Sequence, residues 1–185
     1  MRSNSQLLLD LCDIEQTQKT GLNKAFCIDE QTAIKKNLES GILRKLITNT
    51  EVKKYYIEWG GIYLIYTTDK TDIDNYPNIK DHLMTFKDKL DKRSENKDQK
   101  YPWWRIQRPR RESICTSPEK IIVPYYATEN RFGYDNREDG NGYFGNTDTY
   151  VIVPLKSCNI SVMYILALLN SRVQLDIDAI AQQTS

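Results

Sequence analysis

The sequence predicts an α+β domain built around a mostly antiparallel β-sheet with hairpins. Three observations lead there. Short runs of β-branched and aromatic residues, among them Ile121-Ile122-Val123 and Tyr150-Val151-Ile152-Val153, have the composition of strands. The Gly60-Gly61 pair and the charged, glycine-containing stretch 136–141 supply turns between such runs. Two helical patterns, near 79–93 and near 161–173, stand apart and do not alternate with strands as βαβ units would.

Along the chain, residues 7–14 are apolar, Thr20-Gly21 breaks the pattern, and residues 25–28 read as a short strand. Residues 30–46 read as a helix with a break at Gly41. Residues 54–67 form the clearest predicted hairpin. Tyr55, Ile57 and Trp59 alternate with Tyr56 and Glu58, Gly60-Gly61 turns the chain, and residues 62–66 return. Asn78 is placed to cap the next helix, with Asp81 three residues on. Ile79, Leu83, Phe86 and Leu90 then recur at helical spacing, giving an amphipathic helix over 79–93. A polar loop over 94–100 follows, then strands over 121–126, 131–134 and within 143–155. The helix over 161–173 is apolar almost all round and is expected to be buried.

A length of 185 residues suits a single domain over 1–185, and 39% hydrophobic with 28% charged residues marks a globular chain. The net charge of +1 decides nothing about a polyanionic partner, so that question rests on where the charges lie. Cys12, Cys27, Cys115 and Cys158 contain no CxxC pair, and His82 is the single histidine, so the usual zinc spacings are missing. The chain does not start with a basic stretch, an apolar run and a small-residue cleavage site. Its longest apolar stretch, 162–169, is too short to span a bilayer. A cytoplasmic domain with free thiols is expected.

Signatures of catalysis are weak. GxxxxGK[ST] is absent, and the GxGxxG spacing of Gly140, Gly142 and Gly145 falls in a predicted turn, not between a strand and a helix as a nucleotide loop requires. Glu51-Val52-Lys53 fits one half of a Mg²⁺ nuclease core, in which a carboxylate holds the metal and a lysine stabilises the attacking water. Three-residue matches of this kind arise by chance in a chain this rich in Lys and Glu, and these residues read as a solvated stretch before the hairpin. His82 reads as a surface or boundary residue of its helix, not as a general base.

The strongest physical signal lies over residues 100–111. This stretch holds five cations (Lys100, Arg105, Arg108, Arg110 and Arg111), no anion, and the aromatics Tyr101, Trp103 and Trp104. Arginine forks match phosphate oxygens and the O6/N7 edge of guanine, and Gln107 is suited to adenine N6/N7. Pro102 and Pro109 stiffen the segment. Unbalanced cations in so neutral a chain favour a polyanion. The competing reading is a solvated basic loop with a tryptophan anchored in the core. A second candidate is Tyr125-Tyr126 with Asn130 and Arg131, and a third is Lys53-Lys54, suited to phosphates. Twelve tyrosines fit either a strand-rich core or a nucleic-acid groove.

The sequence resembles the TaqI-like C-terminal specificity domain of N6-adenine DNA methyltransferases and type IIG restriction-modification enzymes. The resemblance is carried, in order, by Lys19-Thr20-Gly21-Leu22-Asn23-Lys24-Ala25-Phe26, Glu51-Val52-Lys53-Lys54-Tyr55 and Tyr63-Leu64-Ile65-Tyr66-Thr67. It continues through Tyr76-Pro77-Asn78-Ile79, the helix end over 90–93, and Arg105-Ile106-Gln107-Arg108-Pro109-Arg110. Lys120-Ile121-Ile122-Val123-Pro124, Arg131-Phe132-Gly133-Tyr134-Asp135, residues 147–154 and residues 159–171 complete it. It implies a target-recognition domain from a larger enzyme that grips duplex DNA against a catalytic domain of the same parent chain.

That catalytic domain would bind S-adenosylmethionine, flip an adenine and methylate N6. This sequence lacks the Asn-Pro-Pro-Tyr motif of that chemistry, so no catalysis and no cofactor are expected in it. Two departures stand out: Thr17 replaces a usual glycine, and Thr48-Asn49-Thr50-Glu51 replaces a run of the Arg-Gly-Arg/Lys-Asp kind. The DNA-contacting set expected from residue chemistry is Lys53, Lys54, Trp104, Arg105, Gln107, Arg108, Arg110, Arg111, Tyr125, Tyr126, Asn130 and Arg131. Two other functions fit the same residues: a free-standing nuclease using Glu51 and Lys53, or a protein-interaction module of a phage-defence complex with Trp103 and Trp104 as buried anchors.

Overall fold

The computed structural model describes residues 7–96, 100–137 and 142–171. In chain order the elements are α1 (Leu8–Leu11), β1 (Cys12–Gln16), α2 (Asn23–Phe26), β2 (Cys27–Asp29), α3 (Glu30–Lys35), β3 (Leu43–Ile47) and β4 (Ile62–Ile65). They continue with α4 (Pro77–Met84), α5 (Lys87–Asp91), α6 (Glu112–Cys115), β5 (Lys120–Pro124), β6 (Gly133–Asp135), β7 (Phe144–Gly145), β8 (Thr149–Pro154) and α7 (Val162–Leu169). The architecture is α+β, with two four-stranded sheets in place of one.

The first sheet has the order β1-β8-β5-β6 and is antiparallel throughout. Its register aligns Ile14, Ile152 and Ile121 on one face, where they pack with Cys12, Val123 and the buried side of α7. The opposite face carries Val151 and Ile122, which pack with Ile47, Val52 and Ile114. Burial on both faces explains why β5 reads as a continuous apolar run. The second sheet has the order β2-β4-β3-β7, with β7 joining β3 in parallel. It forms the larger core with α2, α3, α4 and α5 through Phe26, Leu64, Ile65, Ile79, Leu83 and Leu90.

The predicted helix over 30–46 stops early, and its second half is the strand β3. Asn37 takes a left-handed conformation (φ 49°), and its amide donates to Ile34 O while that of Leu38 donates to Ala33 O. Those two bonds satisfy the last carbonyls of α3, and only glycine and asparagine enter such a stop at low cost.

The predicted hairpin over 54–67 is also corrected. Strand β4 pairs with β2 and β3, so both of its edges are occupied. Residues 52–57 instead close on themselves through the Val52–Ile57 bridge. The alternation of Tyr55, Ile57 and Trp59 with Tyr56 and Glu58 put bulky side chains on both faces and could not fix a partner.

The helix over 79–93 is broken into α4 and α5 at Thr85, whose hydroxyl donates back to His82 O at 2.7 Å. Pro77 occupies its first turn, and Glu39, not Asn78, caps it, accepting from Asn78 N at 2.9 Å and Ile79 N at 3.1 Å. Helix α7 buries Val162, Ile165, Leu166 and Leu169 but leaves Met163, Tyr164 and Leu168 exposed, so its burial is one-sided. The short strand expected at 25–28 lies at Cys27–Asp29, with Ala25 and Phe26 in α2. Most of the turn cluster 136–141, part of the loop 94–100 and the end of the helix over 161–173 lie outside the described residues.

Candidate nucleic-acid interface

The segment 100–111 crosses the surface without regular structure, and a buried arginine fixes its course. Arg93 donates from Nε to Leu90 O (2.9 Å), from Nη1 to Thr20 O (3.2 Å) and Arg105 O (2.8 Å), and from Nη2 to Trp103 O (2.8 Å). One guanidinium fork therefore gathers three chain segments that lie outside the two sheets. Gly21, at φ +78°, lets the chain pass beneath: a Cβ there would stand 2.9 Å from Arg93 Cδ and 2.8 Å from Gln107 Oε1. The bridge between Lys19 and Arg108 continues the contact.

This course turns several predicted contact residues inward. Gln107 is buried, and Trp103 and Trp104 both pack against the larger core. The carbonyl of Trp104 accepts from Thr67 Oγ1 at 2.8 Å. Arg105 pairs with Asp69 at 3.0 Å and lies over the Tyr101 ring. Arg108 is held by Glu95, and Arg111 by Glu15 at 2.8 Å and Asp13 at 3.4 Å. Of the carboxylates that balance the run, Asp13, Glu15 and Asp69 are distant in sequence, whereas Glu95 lies just before it. The Arg108 bond holds the Glu95 carboxyl below its ordinary range, and the Glu15 bond raises the already high Arg111.

Arg110 differs. It rests on neutral acceptors, Gln16 Oε1 at 3.1 Å and Thr17 O at 3.4 Å. Gln16 is the register partner of Tyr150, and the Tyr150 ring stacks on Tyr125 at 5.9 Å. Burial raises the Tyr150 hydroxyl, Tyr125 adds to the rise and the charge of Arg110 opposes it. Tyr125 meets Tyr126 edge-on at 4.5 Å. Arg131 then joins this loop to the turn 52–57, donating from Nη2 to Tyr126 O at 3.4 Å and from Nη1 to Val52 O at 3.1 Å.

Lys53 reaches Thr50 O at 2.8 Å and Glu58 at 3.8 Å, and Lys54 lies 5.5 Å from the Tyr55 ring. Asn130 donates to Ser171 O at 3.2 Å, while Asn170 of α7 exchanges both its amide groups with the Phe132 backbone at 2.9 Å. The structure thus brings Arg110, Tyr125, Tyr126, Asn130, Arg131, Lys53 and Lys54 onto one track.

Sequence reasoning missed Tyr55 and Tyr56, which it placed in a strand. They are 49% and 57% exposed, compared with 40% and 73% for Tyr125 and Tyr126. The repeated Tyr-Tyr pair was the available signal. Thr17, which stands where the family usually has glycine, is buried, bonded to Asn146 O, to Thr149 O at 3.1 Å and to Thr149 Oγ1 at 2.8 Å, and fills the interior beside Gly145.

Glu51 serves a turn. Its Oε2 accepts from Thr48 N (2.7 Å) and Oγ1 (2.6 Å), and its Oε1 from Thr50 Oγ1 (2.8 Å). Burial works to raise this carboxyl, and the bonds from Thr48 and Thr50 outweigh it and lower it. His82 is buried, with Nε2 on Ala25 O at 3.0 Å and Nδ1 on Lys36 Nζ at 2.8 Å, which corrects its assignment to the surface. The four cysteines are free thiols. Among the described residues no group of three or more His, Cys, Asp or Glu is placed to hold a metal, and no helix is long and apolar enough to cross a membrane.

The sequence model of the family described as TaqI-like C-terminal specificity domain matches residues 44–177, which takes in β3 through α7 and begins after the motif residues 19–26. No curated protein matches the chain. Among solved structures, the fold is similar to a chain in the structure of the type IIL restriction-modification enzyme MmeI in complex with DNA. The identity is 14% and the TM-score 0.58, with 90% of this chain and 21% of that chain covered. The present chain therefore spans about a fifth of that one, and the likeness is one of fold.

Proposed function

Because the chain belongs to the family of TaqI-like C-terminal specificity domains, we propose that it recognises a target sequence in duplex DNA for a restriction-modification enzyme. The observation that carries this reading onto particular residues is the track from Arg110 through Tyr125 and Tyr126 to Arg131 and Lys54. Among the described residues Arg110 and Arg131 are anchored by neutral oxygens and pair with no carboxylate. Exposed tyrosines between such cations suit a surface that meets both phosphates and base edges.

Within that reading, Arg110, Arg131, Lys53 and Lys54 supply the cations, with Tyr125 and Tyr126 as the wall between them and Asn130 supporting the loop. Arg108 and Arg111 join by exchanging Glu95 and Glu15 for phosphate. Trp104, Arg105 and Gln107 act from behind, holding the segment in shape. The larger enzyme is, on this proposal, an adenine-specific DNA methyltransferase, with or without a fused nuclease, acting in the cytoplasm. S-adenosylmethionine and the reacting adenine would belong to its catalytic domain. This chain carries no Asn-Pro-Pro-Tyr for that step, so its own part is binding and orientation.

Selection of the chain against a randomised duplex library at low salt tests the reading. Enrichment of one short motif is the expected result. Absence of binding even at low salt would overturn it.

A further inference from the structure

The turn Lys53–Tyr56 shows a tension that the fold does not require. The Val52–Ile57 bridge and a bond from Lys53 N to Tyr56 O at 2.9 Å place Lys54 and Tyr55 at its tip. Tyr55 there has φ +77°, a conformation that glycine or asparagine adopts at far lower cost than a bulky aromatic. The sequence accepts this strain and also leaves the rings of Tyr55 and Tyr56 exposed.

The turn is held rigidly. Tyr55 N donates to Phe132 O at 2.9 Å, and Tyr134 N donates to Tyr55 O at 3.3 Å. Gly133 lies under it with no room for a side chain: a Cβ would stand 2.8 Å from Ile57 Cγ1 and 2.9 Å from Tyr56 O. Arg131 ties its base to the Tyr125–Tyr126 loop.

We propose that the Tyr55–Tyr56 turn is a preorganised base-reading element, a specificity determinant on the DNA-facing surface. The inference rests on the DNA-recognition reading above. Strained residues persist where surrounding structure over-determines them, and such sites cluster at ligand contacts. A tyrosine offers a ring for sugars or a thymine methyl and a hydroxyl that both donates and accepts. Duplex DNA is the occupant that the charges favour. Lys53 at the base is paired with Glu58 at 3.8 Å, while Lys54 at the tip lies 5.5 Å from the Tyr55 ring, which sets a cation beside the exposed rings. A fixed turn loses little conformational freedom on binding, which lets its contacts count toward discrimination.

The test compares library selections of the full chain, of Tyr55→Gly and of the Tyr55→Gly/Tyr56→Ser double variant. Glycine suits the left-handed backbone, so the thermal transition of Tyr55→Gly should match or exceed that of the parent. Both variants should still bind DNA at low salt, and discrimination at one or two base pairs should fall by about 5- to 150-fold, the range of single mismatches. A folded double variant with the parent's preference unchanged overturns the inference and leaves the DNA reading standing. A parent chain that enriches no sequence overturns both.

Discussion

Arg108 grips both oxygens of one carboxylate: Nε meets Glu95 Oε2 at 3.0 Å and Nη2 meets Glu95 Oε1 at 2.7 Å, with Lys19 on the same Glu95 oxygen at 3.4 Å. A bidentate pair of this kind is also how an arginine would hold a phosphate, so Glu95 competes directly with DNA for Arg108. Glu95→Ala should therefore strengthen DNA binding severalfold at low salt, with Arg108→Ala weakening it across all sequences. Fluorescence titration of a labelled duplex reads both. Weaker or unchanged binding by Glu95→Ala would take Arg108 off the interface.

Arg93 organises the segment on which the arginines sit. Replacing it by alanine removes its four bonds to the carbonyls of Leu90, Thr20, Trp103 and Arg105, of which Leu90 and Thr20 keep a backbone donor. The expected loss is about 2–4 kcal/mol in urea denaturation, given that hydrogen bonds to charged groups each contribute roughly 1.5–3. Arg93→Lys should recover little, because an ammonium on a flexible stem cannot serve diverging carbonyls from one plane. Full recovery in that variant would mean that charge, not the fork, is what the site needs.

Lys120 and Asp135 form an ion pair at 2.9 Å that is sealed from water. Lys120 also donates to Cys115 O at 2.7 Å, and Asp135 accepts from Tyr143 N at 2.7 Å. Removing one partner strands the other, so Lys120→Met and Asp135→Asn should each cost about 3–5 kcal/mol. Gly142 stands over the pair, with a Cβ position 2.5 Å from Lys120 Nζ, so Gly142→Ala should also destabilise. Chemical denaturation of the three variants measures this, and near-neutral values for all three would show the pair to be dispensable.

His82 predicts a pH dependence of stability. Burial lowers its pKa from the ordinary 6.5; the bond to Ala25 O works against that, and Lys36 reinforces it. The folded state therefore favours the neutral ring. Its contribution is complete above pH 6.5, where the unfolded chain is neutral too, and is lost as pH falls below 6.5 toward the folded value. The melting temperature should drop between pH 7 and pH 5.5, and His82→Gln should flatten that drop. A parent profile that is level across this window would contradict the neutral assignment.

Strands were legible wherever one short apolar run dictated burial, as in β5 and β8. Residues 43–47 were not legible as a strand, because Leu43, Leu46 and Ile47 suit a helical stripe as well as a pleat. What decides there is the left-handed Asn37, a single residue upstream. The basic segment was found by its composition, yet Glu15 and Asp69, which pair with Arg111 and Arg105, sit far away in the chain. Local charge counting cannot detect such compensation. It also could not single out Arg110, whose distinction is a pair of neutral acceptors.

That distinction yields the last prediction. Among the described residues Lys54 and Arg110 meet no carboxylate, so each should release counterions on binding DNA in full measure. Lys54→Ala should lower the slope of log K against log salt by about 0.9 and leave base preference intact, as expected for a phosphate contact on duplex DNA. Arg110→Ala should lower the same slope. If Arg110 also reaches a guanine edge, it should relax preference at one position by about 1–3 kcal/mol as well. Arg105→Ala, which removes a cation already paired with Asp69, should leave the slope nearly unchanged. Salt titrations of the three variants on one duplex separate these roles. Equal slopes for Arg105→Ala and Arg110→Ala would mean that internal pairing does not decide which arginines meet DNA.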